Sequence, residues 1–273
     1  MSAGLDIEEA LDLAVKVARH VGREIQLPRL KVGKPDFKGV RDLVTEADRL
    51  SERAIVSAIR GRYPEHAIFA EEEVREETKQ AEHTWYVDPL DGTTNFVHGL
   101  PLFCSSIALY RGTEPLAAVC YNPCTDECFF GAKAFGAYLN SETIKLAVTG
   151  EGELVKALLV TGFAYDQERY PNLPAWNRMI PRSQGVRRLG SAALDLCYVA
   201  AGRFDGYWEC GLNPFDIAAG ALLVMEAGGR VTDYSGGPGW LHGRSVVATN
   251  GALHATLLEE VAAAGHPAGP GGV

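Results

Sequence analysis

The chain has 273 residues, is 47% hydrophobic and carries a formal net charge of −9. It is long enough to bury a large core, and with no basic block it argues against nucleic acid as a direct ligand, because a phosphate backbone needs clustered Lys and Arg. No apolar run reaches the ~20 residues of a membrane span, and the N-terminus lacks the basic-then-apolar order of a secretory signal, so a cytoplasmic protein with no membrane partner is expected.

In chain order, Ile7, Leu11, Ala14, Val15, Ala18 and Val21 share one helical face. Residues 28–39 combine prolines, glycines and basic side chains and predict a mobile loop. A second helix is predicted over 47–60, with Leu50, Ala54, Ile55, Ala58 and Ile59 inward. Short apolar runs at 67–69, 85–87, 106–110, 116–121 and 128–130 predict successive strands. Gly, Pro and Asn turns join several of them, which predicts antiparallel neighbours. From residue 157 onward, strands at 158–160, 206–208, 230–232 and 246–248 alternate with helices near 172–180, 191–201, 214–227 and 251–264. The result is a mixed α/β layered architecture, expected as a single domain over 1–265 with halves of about 1–145 and 146–265. The Gly/Pro/Ala-rich residues 266–273 are expected to form a flexible tail. Cys120, Cys124 and Cys128 recur every four residues, but no Cys-x-x-Cys pair or nearby histidine accompanies them. They predict reduced thiols in a sheet rather than a zinc site.

The run Asp88-Pro89-Leu90-Asp91-Gly92-Thr93-Thr94-Asn95 leaves an apolar strand with two carboxylates, then a glycine and two threonines. That order offers oxygen ligands for a hard metal, then a turn whose N–H groups can face a phosphate. A second acid motif, Asn213-Pro214-Phe215-Asp216, opens a helix downstream. Each site also has a plain structural reading. Thr45-Glu46-Ala47-Asp48 matches a capping box, Glu71-Glu72-Glu73 a solvated charge run, 89–92 a turn and 213–216 ordinary helix-start chemistry. Taken together they mark strand exits and helix starts that could face one cleft. Gly190-Ser191 opens another helix and offers a weaker anion site. No Cys-x5-Arg loop for a phosphocysteine route is expected, and there is no Gly-x4-Gly-Lys-Ser/Thr loop for nucleoside triphosphates.

These two motifs, with 42–48, 69–72, 190–195 and 226–229, resemble the signatures of the inositol monophosphatase family. The resemblance covers roughly residues 5 to 262. It implies an αβαβα sandwich with mixed, largely antiparallel sheets, two to three Mg²⁺ ions, a homodimer and inhibition by Li⁺. Glu71, Asp88, the Leu90 carbonyl, Asp91 and Asp216 would hold the metals. Gly92, Thr93 and Thr94 would bind phosphate, and Asp91, Ala192 and Glu209 would lie against the substrate hydroxyls. Asp48 would pair with Thr93 to orient a water that, with help from Thr93 and Glu71, attacks phosphorus in line. Lys38 would sit on a loop closing over the metals. Two positions depart from the family pattern, Phe215 in place of Trp and Ala70 in place of Gly. With three glutamates in a row, Glu71 or Glu72 could serve, and Glu71 is taken as first after the strand.

The implied activity is Mg²⁺-dependent hydrolysis of myo-inositol 1-phosphate. Thr94 tilts the motif towards inositol phosphates, since relatives acting on phosphoadenosine nucleotides or histidinol phosphate tend to have Lys or Arg there. Fructose 1,6-bisphosphate is the alternative substrate. A different class of alternative is a non-catalytic regulatory protein on this fold, acting through a partner such as RNA polymerase.

Overall fold

The computed structural model describes residues 5–30, 35–37, 43–72 and 81–265. Lys38, Asp42, Glu73, the 266–273 tail and much of the expected 28–39 loop lie outside the described residues.

Helix α1 (Ile7–His20) begins where Asp6 Oδ1 accepts the N–H groups of Glu8 and Glu9 at 3.0 and 3.1 Å. This satisfies donors that the first turn leaves open. The helix then widens into a π-helical turn (Val21–Gln26) and closes as α2 (Leu27–Arg29), so the expected loop starts later than Pro28. The π turn carries the fully buried Gln26, whose Nε2 donates to Pro89 O and Ser105 Oγ, both at 2.8 Å. Strands β1 (Asp36–Phe37) and β2 (Leu43–Val44) pair antiparallel ahead of α3 (Glu46–Arg62).

The expected Ile55 and Ile59 are in the core and Ala54 and Ala58 pack against it, but the buried face of α3 extends beyond the expected one. Asp48, Ser51 and Glu52 are buried with Ile55, Val56 and Ile59, whereas Leu50, Ala54 and Ala58 are only half-buried. Hydrophobic periodicity finds apolar stripes. The first turns of α3 instead bury polar side chains towards the cleft.

A seven-stranded sheet runs in sequence order: β3 (Ala67–Ala70), β4 (His83–Asp91), β5 (Cys104–Arg111), β6 (Glu114–Asn122), β7 (Glu127–Ala132), β8 (Gly136–Leu139) and β9 (Ser141–Lys145). The short helix α4 (Thr93–His98) lies between β4 and β5. Neighbours from β4 to β9 are antiparallel as expected, but β3 and β4 are parallel. The intervening sequence, 71–82, is long enough for the crossover that a parallel pair requires. β9 is exposed along its whole length and so carries no apolar run from which to read it.

The second sheet has the order β11-β10-β12-β14-β13. It is built from β10 (Leu158–Thr161), β11 (Gly185–Arg187), β12 (Gly206–Cys210), β13 (Arg230–Thr232) and β14 (Ser245–Thr249). Its helices are α5 (Leu173–Met179), α6 (Ala192–Ala200), α7 (Pro214–Glu226) and α8 (His254–Ala263). Five layers result. α1 and α3 cover one face of the larger sheet, α6 and α7 fill the space between the sheets, and α5 and α8 cover the outer face of the smaller one. α7 is buried on all sides from Ile217 to Val224, as a helix that is apolar all round must be. This is the expected α/β sandwich. Among the described residues, no helix is long and apolar enough to cross a membrane.

Candidate active site

The C-terminal end of β4 carries the first acid pair. Side chains i and i+3 of a regular strand point to opposite faces. Here the register shifts: Asp88 pairs with Ser106 and Asp91 with Cys104, so three steps on β4 oppose two on β5. The extra residue is a bulge, and it turns Asp88 and Asp91 into the same cleft. Three hydrogen bonds hold it open. Leu90 N–H donates to Asp88 Oδ1 at 3.0 Å, and the Pro89 carbonyl accepts from Ser105 Oγ and from Gln26. Gly92 then turns the chain into α4 with φ +96°, where a Cβ would lie 2.8 Å from the Leu102 carbonyl. Glycine is therefore required there on both counts.

Thr93, the first residue of α4, reaches back to α3. Its Oγ1 donates to Asp48 Oδ1 at 3.0 Å and lies 3.2 Å from the Leu90 carbonyl. The other oxygen of Asp48 accepts from Thr45 N–H at 2.8 Å and from Thr45 Oγ1. Asp48 thus caps its own helix and positions Thr93 at once. The structural and functional readings of this side chain are compatible.

Asp216 sits on the first turn of α7, its Oδ2 accepting from Asn213 N–H at 2.6 Å. Behind it, Phe215 stacks on Phe69 of β3, with ring centroids 5.8 Å apart. Phe69 lies two residues before Glu71, whose N–H donates to the Val87 carbonyl at 3.2 Å. The Phe215 departure keeps an aromatic contact that ties the segment bearing Asp216 to the one bearing Glu71. Of the two candidate glutamates, Glu71 lines the cleft, while the backbone N–H of Glu72 donates to Glu52 on α3 at 2.7 Å.

The opposite wall comes from the second sheet. Ser191 caps α6, and its Oγ donates to Asp91 Oδ2 at 2.7 Å, as does Ala193 N–H at 2.7 Å. The expected anion site at Gly190-Ser191 therefore takes Asp91 itself, because the helix N-terminus already faces a carboxylate of the same chain. Ala192 and Thr94 line the cleft. Glu209, on β12, is buried and its Oε2 accepts from Tyr207 OH at 2.7 Å. Gly162 makes room for it, since a Cβ there would fall 2.2 Å from Glu209 Oε2.

Apart from Lys38, every residue expected in the site borders this cleft of ≈ 200 Å³ or, as with Asp48, contacts a residue that does. Burial is the main cause that raises the Asp88 and Asp216 carboxyls well above the ordinary range, followed for both by repulsion from Glu71. Asp91 rises to about 7 through burial, against the opposing bonds from Ser191 and Ala193. Glu209 reaches about 7 through burial, opposed by Tyr207. Among the described residues, no three Asp, Glu, His or Cys side chains converge tightly enough to enclose an ion unaided. The oxygen donors of Asp88, Asp91, Asp216, Glu71 and the Leu90 carbonyl nevertheless suit Mg²⁺, which binds through one or two carboxylates, waters and substrate phosphates rather than an all-protein cage.

Sequence reasoning missed several supporting residues. Asn95 Nδ2 donates to the Leu102 and Leu189 carbonyls at 2.7 and 2.9 Å, joining α4 to the approach of α6. Gln26, Glu52, Tyr207, Arg188 and Asp195 also escaped it. None carries a motif signal, except that Asn95 closes the first acid motif and Asp195 falls in the 190–195 match. One Cys-x5-Arg spacing does occur, Cys197 to Arg203. It is no phosphate loop, because Cys197 is buried in α6 and Arg203 pairs with Glu127. The remaining thiols lie as expected: Cys120 and Cys128 are buried in β6 and β7, and Cys124 occupies the turn between them.

The sequence matches the model of the inositol monophosphatase family over residues 6–266. It is 44% identical over 261 residues to the inositol-1-monophosphatase of Synechocystis sp., a match covering 94% of this chain and 90% of that one. It is 42% identical over 264 residues to a Pseudomonas aeruginosa protein named Nus factor SuhB, covering 93% and 96%. Among solved structures, an inositol monophosphatase from Anabaena aligns with a TM-score of 0.86 at 40% identity, covering 97% of this chain and 98% of that one.

Proposed function

This chain belongs to the inositol monophosphatase family, and from that premise we propose that it is a cytoplasmic, homodimeric, Mg²⁺-dependent phosphomonoesterase acting on myo-inositol 1-phosphate, its residues 1–265 forming one catalytic unit. The observation that carries the proposal is the β4 bulge. It puts Asp88 and Asp91 in one cleft with Asp216, Glu71 and the Thr93–Asp48 pair. Asp88, Asp91, Asp216, Glu71 and the Leu90 carbonyl would hold two to three Mg²⁺ ions. When bound, these ions supply Lewis acidity that neutralises phosphate oxygens and makes hydroxide accessible near neutral pH.

The residues of the chain do the rest. Thr93 Oγ1 commits its proton to Asp48, which leaves its lone pairs to accept from the attacking water. Glu71 takes the proton that this water loses. Gly92, Thr93 and Thr94 present the start of α4 to the phosphate. Asp91, through the oxygen not bonded to Ser191 and Ala193, and Glu209, through Oε1, accept hydroxyls of the leaving alcohol. Phosphate release from myo-inositol 1-phosphate and from fructose 1,6-bisphosphate, measured side by side in Mg²⁺, tests the reading. A clear preference for the bisphosphate would replace the substrate, and no turnover of either ester would defeat the proposal.

A second reading, a partner-binding role, is favoured by relatives named Nus factor SuhB. It becomes the leading one if purified protein hydrolyses no phosphate monoester. The net charge of −9 argues against direct RNA binding in that case.

A further inference from the structure

Asp195 has no part in the mechanism above. It lies in α6, is 1% exposed and lines the cleft together with Glu209 and Asp91. Among the described residues, neither of its carboxyl oxygens has a hydrogen-bond partner. A buried carboxyl without partners is costly, and native proteins keep few of them without a reason. Helix capping is not that reason. The open donors at the start of α6 are already met, Leu194 N–H by Ser191 Oγ at 3.4 Å and Ala193 N–H by Asp91. Its surroundings add to the cost, because after burial the strongest influences on it are two further acids, Glu209 and Asp91, with Arg188 acting the other way.

We infer that Asp195 is a further substrate-recognition residue, and that with Glu209 and Asp91 it forms a three-carboxyl subsite for the hydroxyl groups of a neutral polyol. The inference rests on the phosphomonoesterase reading and deepens it. Hydroxyls are the ligand this wall lacks: each can donate to a carboxylate, and each can also accept from a protonated carboxyl. A site with buried groups that need hydroxyl partners discriminates strongly against compounds that lack them.

The test compares wild type with Asp195→Leu and Asp195→Asn, in Mg²⁺, on myo-inositol 1-phosphate and on p-nitrophenyl phosphate, whose leaving group has no hydroxyl. Asp195→Leu should raise KM for the inositol ester roughly several-fold to tenfold, the size of a lost hydrogen bond. The p-nitrophenyl ester should change by less than about twofold. Asp195→Asn keeps a donor and an acceptor and should retain most of the affinity. Thermal melting of Asp195→Leu at or above the wild-type temperature would show that the loss is not unfolding. Equal losses on both esters, or no loss on either, would overturn the inference and leave the phosphomonoesterase reading standing. Wild type inactive on both esters would overturn both.

Discussion

Thr93 and Asp48, 45 residues apart in sequence, meet through a 3.0 Å hydrogen bond from Thr93 Oγ1 to Asp48 Oδ1, while the other oxygen of Asp48 closes the capping box of α3. One carboxylate thereby links helix stability to the position of the cleft threonine. The two roles separate by mutation. Thr93→Val should lower kcat by roughly 10²-fold or more, the range of lost general acid–base positioning, with little change in melting temperature. Thr45→Ala should cost about 1 kcal/mol of stability through the lost cap and leave most of the turnover. Phosphate-release kinetics and calorimetry on the two variants give the comparison, and a stability loss in Thr93→Val equal to that in Thr45→Ala would merge the two roles.

Asp88 is buried, and its carboxyl is raised by burial and by repulsion from Glu71, Asp91 and Asp216. Asp88→Asn removes one of these repelling charges while keeping the shape. It should abolish Mg²⁺-dependent turnover with a melting temperature in metal-free buffer at or above wild type. Near-normal turnover in this variant would contradict the assignment of Asp88 to the metals.

The acids also set a pH dependence. Asp91 and Glu209 rise to about 7 in the folded chain, against about 4 for an unfolded carboxylate. The native state therefore binds more protons than the unfolded state between these values, so the slope of stability with pH is negative. The contribution is complete below pH ~4 and is lost as pH rises through ~7. Bound Mg²⁺ offsets the uncompensated charge. The gain in melting temperature on adding Mg²⁺, relative to chelator, should thus be small near pH ~5 and larger near pH ~8. A gain independent of pH would disconnect the metal from these carboxyls.

Gly162 leaves no room for a side chain, with Glu209 Oε2 only 2.2 Å from where a Cβ would stand. Gly162→Ala must push Glu209 aside and break its 2.7 Å bond from Tyr207. The expected outcome is a KM for myo-inositol 1-phosphate raised several-fold, about the loss of one hydrogen bond, with p-nitrophenyl phosphate little affected. Steady-state kinetics on both esters distinguishes this from general misfolding.

Most of the layered fold was legible because its central strands and inter-sheet helices are apolar runs, as in β5, β6 and α7, and hydrophobic pattern reports burial directly. The polar half of the structure was less so. β9 has no buried residue, and the buried face of α3 near the cleft is made of Asp48, Ser51 and Glu52, which look like surface residues in any hydropathy pattern.

The available side chains are written in the chain: two acid motifs in a specific order, a glycine for the turn, and a threonine spaced to follow it. How they are used follows from packing. A one-residue bulge gave Asp88 and Asp91 a common face, the α6 N-terminus took Asp91 as its anion, and Asp195 stayed buried without a partner among the described residues. These outcomes depend on register and on contacts between residues some hundred positions apart, as between Asp91 and Ser191. Local sequence encodes propensity and periodicity, whereas such pairings are set when whole layers pack and each buried polar group must find, or lack, a partner.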